Sequence, residues 1–384
     1  MKNVTKKIAI NIGAGYTPGV NAIIIGAAHA AYKLGWQVVG IRDGFEGLLF
    51  PDRYPDDGLV DMGPEVIERL NPAGSDALGT SASIDPFHVR TVNELGMIEE
   101  VDMSDTLLKN LKDKKIDAVI SIVMGRGLSI LYKLNQKGLN SVCIPRSVEN
   151  DMAYTAVSFG FNTALSFTID MLDRARQAAQ SAHKIFVVEV LGEQAGWLAL
   201  QSGIAVMADA VVIPEINCDL KKLGEHLNQK LTSGRPFGLV VVAEGAKFTV
   251  DVLATAATLS SLKKSLSPLA TGDDDSHAIQ RSGKAAEFIA NKLQQSIPFE
   301  VQPLVLNQWV RGGAATAVDR QIGLCYGAAA VRALDEGNDN TIIAFVPPEI
   351  TFIPLVDALN KVRTVPAHSE FLKVAQTLGI YTGA

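Results

Sequence analysis

Cysteine is scarce in this chain. Its 384 residues hold three, Cys143, Cys218 and Cys325, far apart and in no CxxC or metal-ligand spacing. That excludes a disulfide framework and a zinc ribbon. Each thiol is expected to be a small core residue. Neither sign of charge dominates: 35 Lys and Arg stand against 41 Asp and Glu, a net charge of −6. A general nucleic-acid surface is not expected, whereas a local phosphate pocket stays open. No apolar run reaches membrane length, and the longest, Ala22 to Ala31, is broken by His29. The basic start, Met1 to Lys7, lacks the long apolar region of a signal peptide. The expectation is a cytoplasmic protein with no nucleic-acid or membrane partner. No internal repeat is visible, and one ordinary core does not extend over this length, so two domains are expected.

What is present is a folded composition, 47% apolar and 20% charged. Short apolar runs alternate with helical patterns. Ile8–Ile12, Trp36–Ile41, Asp117–Ile122, Ser141–Ile144, Lys184–Val190, Ala210–Ile213, Gly238–Val242 and Thr341–Phe345 read as strands. Continuous rather than alternating apolarity means parallel strands covered on both faces. In such sheets ligands sit beyond the carboxyl ends of the strands. The loops there, among them 13–21, 124–129, 145–151 and 191–196, are the candidate sites. Ser260 to His277 differs, with Ser, Gly and the acidic run Asp273–Asp275, and reads as a surface insertion. Trp197 and Trp309 are expected to be packing residues.

The first loop carries Gly13, Gly15 and Gly19 between a strand and the helix predicted over Asn21–Leu34. Backbone amides at such a helix start bind phosphate, and Gly lets the backbone approach. A dinucleotide, a nucleoside triphosphate, pyrophosphate or a tight packed turn are all compatible with it. Asp43, near the end of the second strand, keeps the dinucleotide reading alive, while Pro18 interrupts the usual glycine fingerprint.

With the later loops added, the chain resembles the phosphofructokinase family, in both its ATP-dependent and pyrophosphate-dependent branches. The likeness runs through Thr17-Pro-Gly-Val-Asn21, Asp43-Gly-Phe-Glu-Gly-Leu48, Ser158-Phe-Gly-Phe-Asn-Thr-Ala164, Asp173-Arg-Ala-Arg176, Val187-Val-Glu-Val-Leu-Gly192 and Ala243-Glu-Gly-Ala246. Its most specific element is Arg311-Gly-Gly-Ala-Ala-Thr-Ala-Val-Asp-Arg320. The resemblance implies an α/β protein of two doubly wound Rossmann-like domains with mostly parallel sheets, the phosphofructokinase fold. Residues 1–160 with about 310–360 would be the donor-binding domain. Residues from about 161 to 309 with 361–384 would be the sugar-phosphate domain, carrying the insertion at 260–277. The implied chemistry is phosphoryl transfer from ATP or pyrophosphate, with Mg2+, to the 1-hydroxyl of fructose 6-phosphate. The implied assembly is a homodimer or homotetramer.

Several positions depart from the family's pattern. Its Gly-Gly-Asp loop is here Val123-Met-Gly125-Arg126-Gly127, so the Asp that would hold magnesium is missing and no metal ligand is assigned. Arg126 can supply charge to a phosphate but cannot bind magnesium. Glu149 stands where the catalytic Asp would be, one methylene longer, and Asp151 matches the second acidic residue. A misplacement of about 1 Å can cost on the order of a hundredfold in rate. Arg146 occupies a position that is Gly in ATP enzymes and Lys in pyrophosphate enzymes. Ala14, Ala82 and Glu193 replace a glycine and two phosphate-binding arginines. The family's allosteric arginine falls near Ile25, so its bacterial nucleotide regulation is not expected.

Residue by residue, the resemblance therefore implies Glu149, Asp151 and Arg126 for catalysis. It implies Gly13, Gly15, Gly125, Gly127 and Arg146 for the donor. For the sugar phosphate it implies Lys184, Gly192, Glu193, Glu244, Gln302, Gln308 and Arg311, with Lys184 reaching a neighbouring subunit. Two readings follow: a phosphotransferase with an altered active site, or a catalytically silent regulatory subunit that binds sugar phosphate or an active paralogue as a hetero-oligomer. A nicotinamide-dependent oxidoreductase is the third, and it leaves the later motifs without a role.

Overall fold

The computed structural model describes residues 5–81, 84–92, 96–249 and 283–383. The insertion 260–277 and Ala82 lie outside the described residues. The chain divides into two compact units, Met1–Thr163 with Arg311–Arg363, and Ala164–Val310 with Thr364–Ala384.

The sheet of the first unit has the order Glu349–Pro354, Thr341–Val346, Ser141–Ser147, Ala118–Val123, Lys7–Ile12, Gln37–Ile41, Leu59–Asp61, with the short Phe159–Gly160 beside Ser141–Ser147. The inner strands are parallel, and both edges, Glu349–Pro354 and Leu59–Asp61, run antiparallel. Inner residues alternate between two buried cores. Ile8, Ile10, Ile120 and Val142 belong to one, and Ala9, Val119 and Cys143 to the other. Burial on both faces is why these strands read as unbroken apolar runs.

Helices Val20–Lys33 and Ala317–Asp335 cover the first face side by side. They touch backbone to backbone. A Cβ on Gly26 would lie 2.3 Å from the Leu324 carbonyl oxygen, and one on Gly327 would lie 2.0 Å from that of Ile23. Only glycine fits at those two positions. Ile322, Tyr326, Ala329 and Ala330 point inward, so Cys325 falls on the outer side of its helix and is exposed. Cys143 and Cys218 are buried. The expectation of three core thiols is corrected for Cys325.

The second unit holds a parallel sheet in the order Ala210–Val212, Gly238–Ala243, Ile185–Val190, Val301–Val305. Helices Leu220–Thr232 and Lys284–Gln294 bury one face through Leu223, Leu227, Ile289 and Leu293. Trp197 is buried and meets Phe371 edge to face. Trp309 is not a packing residue: it is 71% exposed. In the short 3-10 helix Asn307–Arg311 it is Val310 that takes the buried position.

Two buried carboxylates cap helices from a distance. Glu189, on the central strand of the second unit, accepts the amides of Gly283 and Ala286 at the start of Lys284–Gln294. In the first unit Asp319 accepts the amides of Gly160 and Thr163 at 3.0 and 2.7 Å, and the Thr163 hydroxyl as well. These are N-terminal donors of the helix Phe161–Ala182, which has no turn of its own to satisfy them. In return, the Thr316 amide donates to the Thr163 hydroxyl at 3.1 Å. The Thr-Ala-Val-Asp part of the 311–320 motif is thus a cap that joins two helix starts.

Asp319→Ala leaves buried amides without an acceptor and should lower the unfolding free energy by about 2–4 kcal/mol in a urea titration. Burial raises the Asp319 pKa although its hydrogen bonds oppose the shift. A folded pKa above the unfolded one means the folded state binds more protons between the two values. Stability contributed by this group should therefore fall as pH rises through that window. Asp319→Asn should lack that slope in melts compared across pH.

Candidate active site

In the first unit, four loops leave the carboxyl ends of neighbouring strands. The glycine loop 13–19 follows Lys7–Ile12. It is pinned at its base, where the Gly13 amide donates to the Ile122 carbonyl at 2.9 Å. Gly15 and Gly19 both have φ of 86°, in the left-handed region that favours glycine. The start of the following helix is already occupied. The Val20 amide donates to Ser75 Oγ at 3.1 Å and the Asn21 amide to the Gly74 carbonyl at 3.1 Å. The phosphate-binding amides expected at that helix start are thus already bonded within the protein, by segment 71–76.

Arg146 explains how this loop is held. It is 0% exposed and lies within the strand Ser141–Ser147. Its guanidinium donates to the carbonyls of Gly13, at 2.7 Å, and Ala14, and to Thr17 Oγ1 at 3.3 Å. The Thr80 hydroxyl adds a second donor to Gly13. Arg146 thus braces the loop from within the core. Gly127 also has a packing reason, since a Cβ there would lie 2.5 Å from Val123 Cβ. Gly125 opens the helix Gly125–Gln136 in open space.

The segments after the strands Ala118–Val123 and Ser141–Ser147 carry charges. Arg126, half exposed in the first turn of Gly125–Gln136, faces Asp85 at 3.5 Å. Glu149 Oε1 lies 3.7 Å from Arg311 Nη2, both groups being largely buried. Arg311 also approaches Met124 Sδ at 3.7 Å, and Met124 is the residue that a side chain on Gly15 would touch. Glu149, Arg311, Met124 and the glycine loop are therefore one neighbourhood. Asp151 accepts from Ser147 Oγ, which in turn accepts the Glu149 amide at 3.0 Å. Asn150, with φ of 58°, takes the Ser158 amide on its side chain at 2.8 Å. Arg363 donates to the carbonyls of Asp151 and Asn150. The sequence reading missed Arg363, because no local pattern marks a residue that acts from the far end of the chain.

In the second unit, the structure splits the candidates into two groups. Gly192, Glu193 and Glu244 share the carboxyl ends of adjacent strands. The Gly192 amide lies 3.4 Å from Glu244 Oε1, and the Gly245 amide donates to the Gly192 carbonyl at 3.1 Å. Lys184 and Gln302 sit at the other end of the same strands, where Gln302 is registered opposite Phe186. Six residues of strand separate the groups, about 20 Å. Lys184 pairs with Glu300 at 2.8 Å. Gln308 lies in the turn Asn307–Arg311.

Among the described residues no group of three or more His, Cys, Asp or Glu is placed to hold a metal ion. Magnesium on phosphates takes one or two carboxylates and completes its shell with phosphate and water. Here Glu149 faces Arg311, Asp151 accepts from Ser147 and Asp85 faces Arg126. Carboxylates matched to protein donors in this way do not fit a protein-held magnesium. Among the described residues no helix is long and apolar enough to cross a membrane.

The profile of the family described as phosphofructokinase matches residues 7–334. The chain belongs to the phosphofructokinase family. ATP-dependent 6-phosphofructokinase 2 of Clostridium perfringens is 31% identical over 382 residues, 99% of each chain. The ATP-dependent 6-phosphofructokinase of Chloroflexus aggregans is 30% identical over 384 residues, 100% of this chain and 99% of its own. Solved phosphofructokinases share the fold. That of Saccharomyces cerevisiae gives a TM-score of 0.70 at 26% identity over 92% of this chain, which spans only 45% of the yeast chain. A pyrophosphate-dependent phosphofructokinase from Marinobacter aquaeolei gives 0.72 at 19% identity over 98% of this chain and 92% of that one. The α/β architecture with mostly parallel sheets is thus the phosphofructokinase fold.

Arg146→Met should remove the guanidinium donor from the Gly13 and Ala14 carbonyls, leaving Thr80 on Gly13. The expected result is a loss of about 2–4 kcal/mol in unfolding free energy and faster amide exchange across residues 13–19. Unchanged exchange in that loop would show that Arg146 does not brace it.

Proposed function

We propose that the chain is a phosphotransferase of phosphofructokinase type with an altered active site. It moves a phosphoryl group from ATP or pyrophosphate to a hydroxyl of fructose 6-phosphate or a related sugar phosphate. The observation that carries this reading is the Glu149–Arg311 pair beside the glycine loop. A base and a fixed cation next to a phosphate-facing backbone are what phosphoryl transfer needs. The names of the Clostridium and Chloroflexus relatives support ATP as donor, and the Marinobacter fold keeps pyrophosphate open.

In this reading the carboxylate of Glu149 takes the proton of the attacking hydroxyl. The freed oxygen forms its bond to the terminal phosphorus of the donor. The bridging P–O bond breaks, and its electron pair leaves with ADP or phosphate. Arg311 and Arg126 offset charge on the transferring group in place of a carboxylate-held ion. The first unit is the donor-binding domain, with Gly13, Gly15 and Gly125 nearest the donor. Gly192, Glu193, Glu244 and Gln308 belong to the sugar-phosphate side. Lys184 and Gln302 cannot touch a ligand held at Gly192 in the same chain. Their separation supports a homodimer or homotetramer in which they serve the neighbouring copy.

Phosphorus NMR of the purified protein with fructose 6-phosphate and magnesium, once with ATP and once with pyrophosphate, tests this directly. A growing sugar bisphosphate signal is expected with one donor. Glu149→Gln should slow it by roughly 10²–10⁴-fold, and Arg311→Ala by about 10². No turnover with either donor, from protein that still binds the sugar phosphate, would favour the silent regulatory subunit instead.

A further inference from the structure

We infer that Arg363 is the positioning residue of the loop that carries Glu149. The inference rests on the reading of Glu149 as the base. The loop 148–154 lies outside the helices and named strands, so its backbone groups need partners from elsewhere. They come from three consecutive residues of the closing part of the first unit. The Arg363 amide donates to the Asp151 carbonyl at 2.7 Å, and Arg363 Nη1 donates to the Asn150 carbonyl at 3.2 Å. Val362 forms an antiparallel bridge with Met152. Lys361 Nζ donates to the Tyr154 hydroxyl at 2.6 Å.

Arg363 is central because two of its bonds hold the successive carbonyls of Asn150 and Asp151, one on each side of the Asp151 α-carbon. Asn150 is in the left-handed conformation, φ 58°, which turns the chain between the two carboxylates. A residue in that conformation holds only when its surroundings over-determine it. Arg363 is half-buried, and burial lowers the pKa of its guanidinium, as expected for a cation taken from water to meet carbonyls. Arg311 meets the Glu149 carboxylate from one side, and Arg363 holds the backbone that presents it. Arg363 touches no reacting atom in this scheme and acts only through the loop. A base displaced by about 1 Å loses on the order of a hundredfold in rate.

The test uses the full chain with Arg363→Ala and Arg363→Lys. For Arg363→Ala the expected result is a kcat about 30- to 100-fold lower with acceptor KM within threefold. Amide exchange should rise across 148–154 while strand 118–123 stays protected. Arg363→Lys, which keeps a cationic donor, should recover at least a third of the lost activity on a logarithmic scale. A wild-type kcat in Arg363→Ala, or a lost kcat with loop exchange unchanged, would overturn the inference. Absence of turnover in the wild-type protein would sink the functional reading instead. In that case the exchange measurement alone decides: unchanged protection in Arg363→Ala overturns the positioning role, and increased exchange confined to the loop upholds it.

Discussion

A guanidinium is buried with no exposure at the carboxyl end of an inner strand of a mostly parallel sheet. Arg146 sits where an apolar residue would be cheaper, and removing a cation from water is tolerable only if its donors find acceptors. The acceptors are the carbonyls of Gly13 and Ala14 and the hydroxyl of Thr17. That requirement dictates the conformation of the glycine loop, because carbonyls turned inward to Arg146 cannot turn outward to solvent. The left-handed Gly15 follows from the same turn. The placement of Met124 against Gly15, and of Arg311 against Met124, is built on a loop so held.

The charges around this loop are arranged in opposed pairs. Arg126 faces Asp85, and Arg311 faces Glu149. Such pairing keeps a cluster of ionised groups compatible with a folded core. It also means that these cations are already oriented by the carboxylates they face. The same pairing makes a carboxylate-held magnesium a poor fit to these residues. The chain belongs to the phosphofructokinase family and keeps its fold.

The helix Phe161–Ala182 shows how distant parts of the chain are knotted. Its first donors are taken by Asp319, more than 150 residues later, and Thr163 answers Thr316. The 311–320 motif therefore has two separable duties. Arg311 faces Glu149, and Thr316 and Asp319 serve the frame. Segment 361–363 does for the carboxylate loop what Asp319 does for the helix.

Much of the fold was legible from the amino-acid sequence. Strands buried on both faces must be apolar throughout, so Ile8–Ile12, Ser141–Ile144 and Gly238–Val242 announced themselves, and the loops after them could be named as the site. Three of the four edge strands of the two main sheets escaped notice, Ala210–Val212 being the exception. Val301–Val305 contains Pro303, and Leu59–Asp61 and Glu349–Pro354 have one side to solvent, so their apolar signal is diluted. Helical periodicity places residues on a face but does not say which face is covered, so Cys325 and Trp309 came out exposed. The sequence by itself determined the parallel α/β architecture, the family and the loops that bear Glu149, Arg126 and Gly192. Tertiary structure alone decided that Arg146 points into the core and that segment 71–76 covers the helix start. It alone parted Lys184 and Gln302 from Gly192 and brought Arg363 to the Glu149 loop. Local pattern records whether a residue is buried, but partners are chosen by contacts between segments 55 to 213 residues apart, and no local pattern carries those.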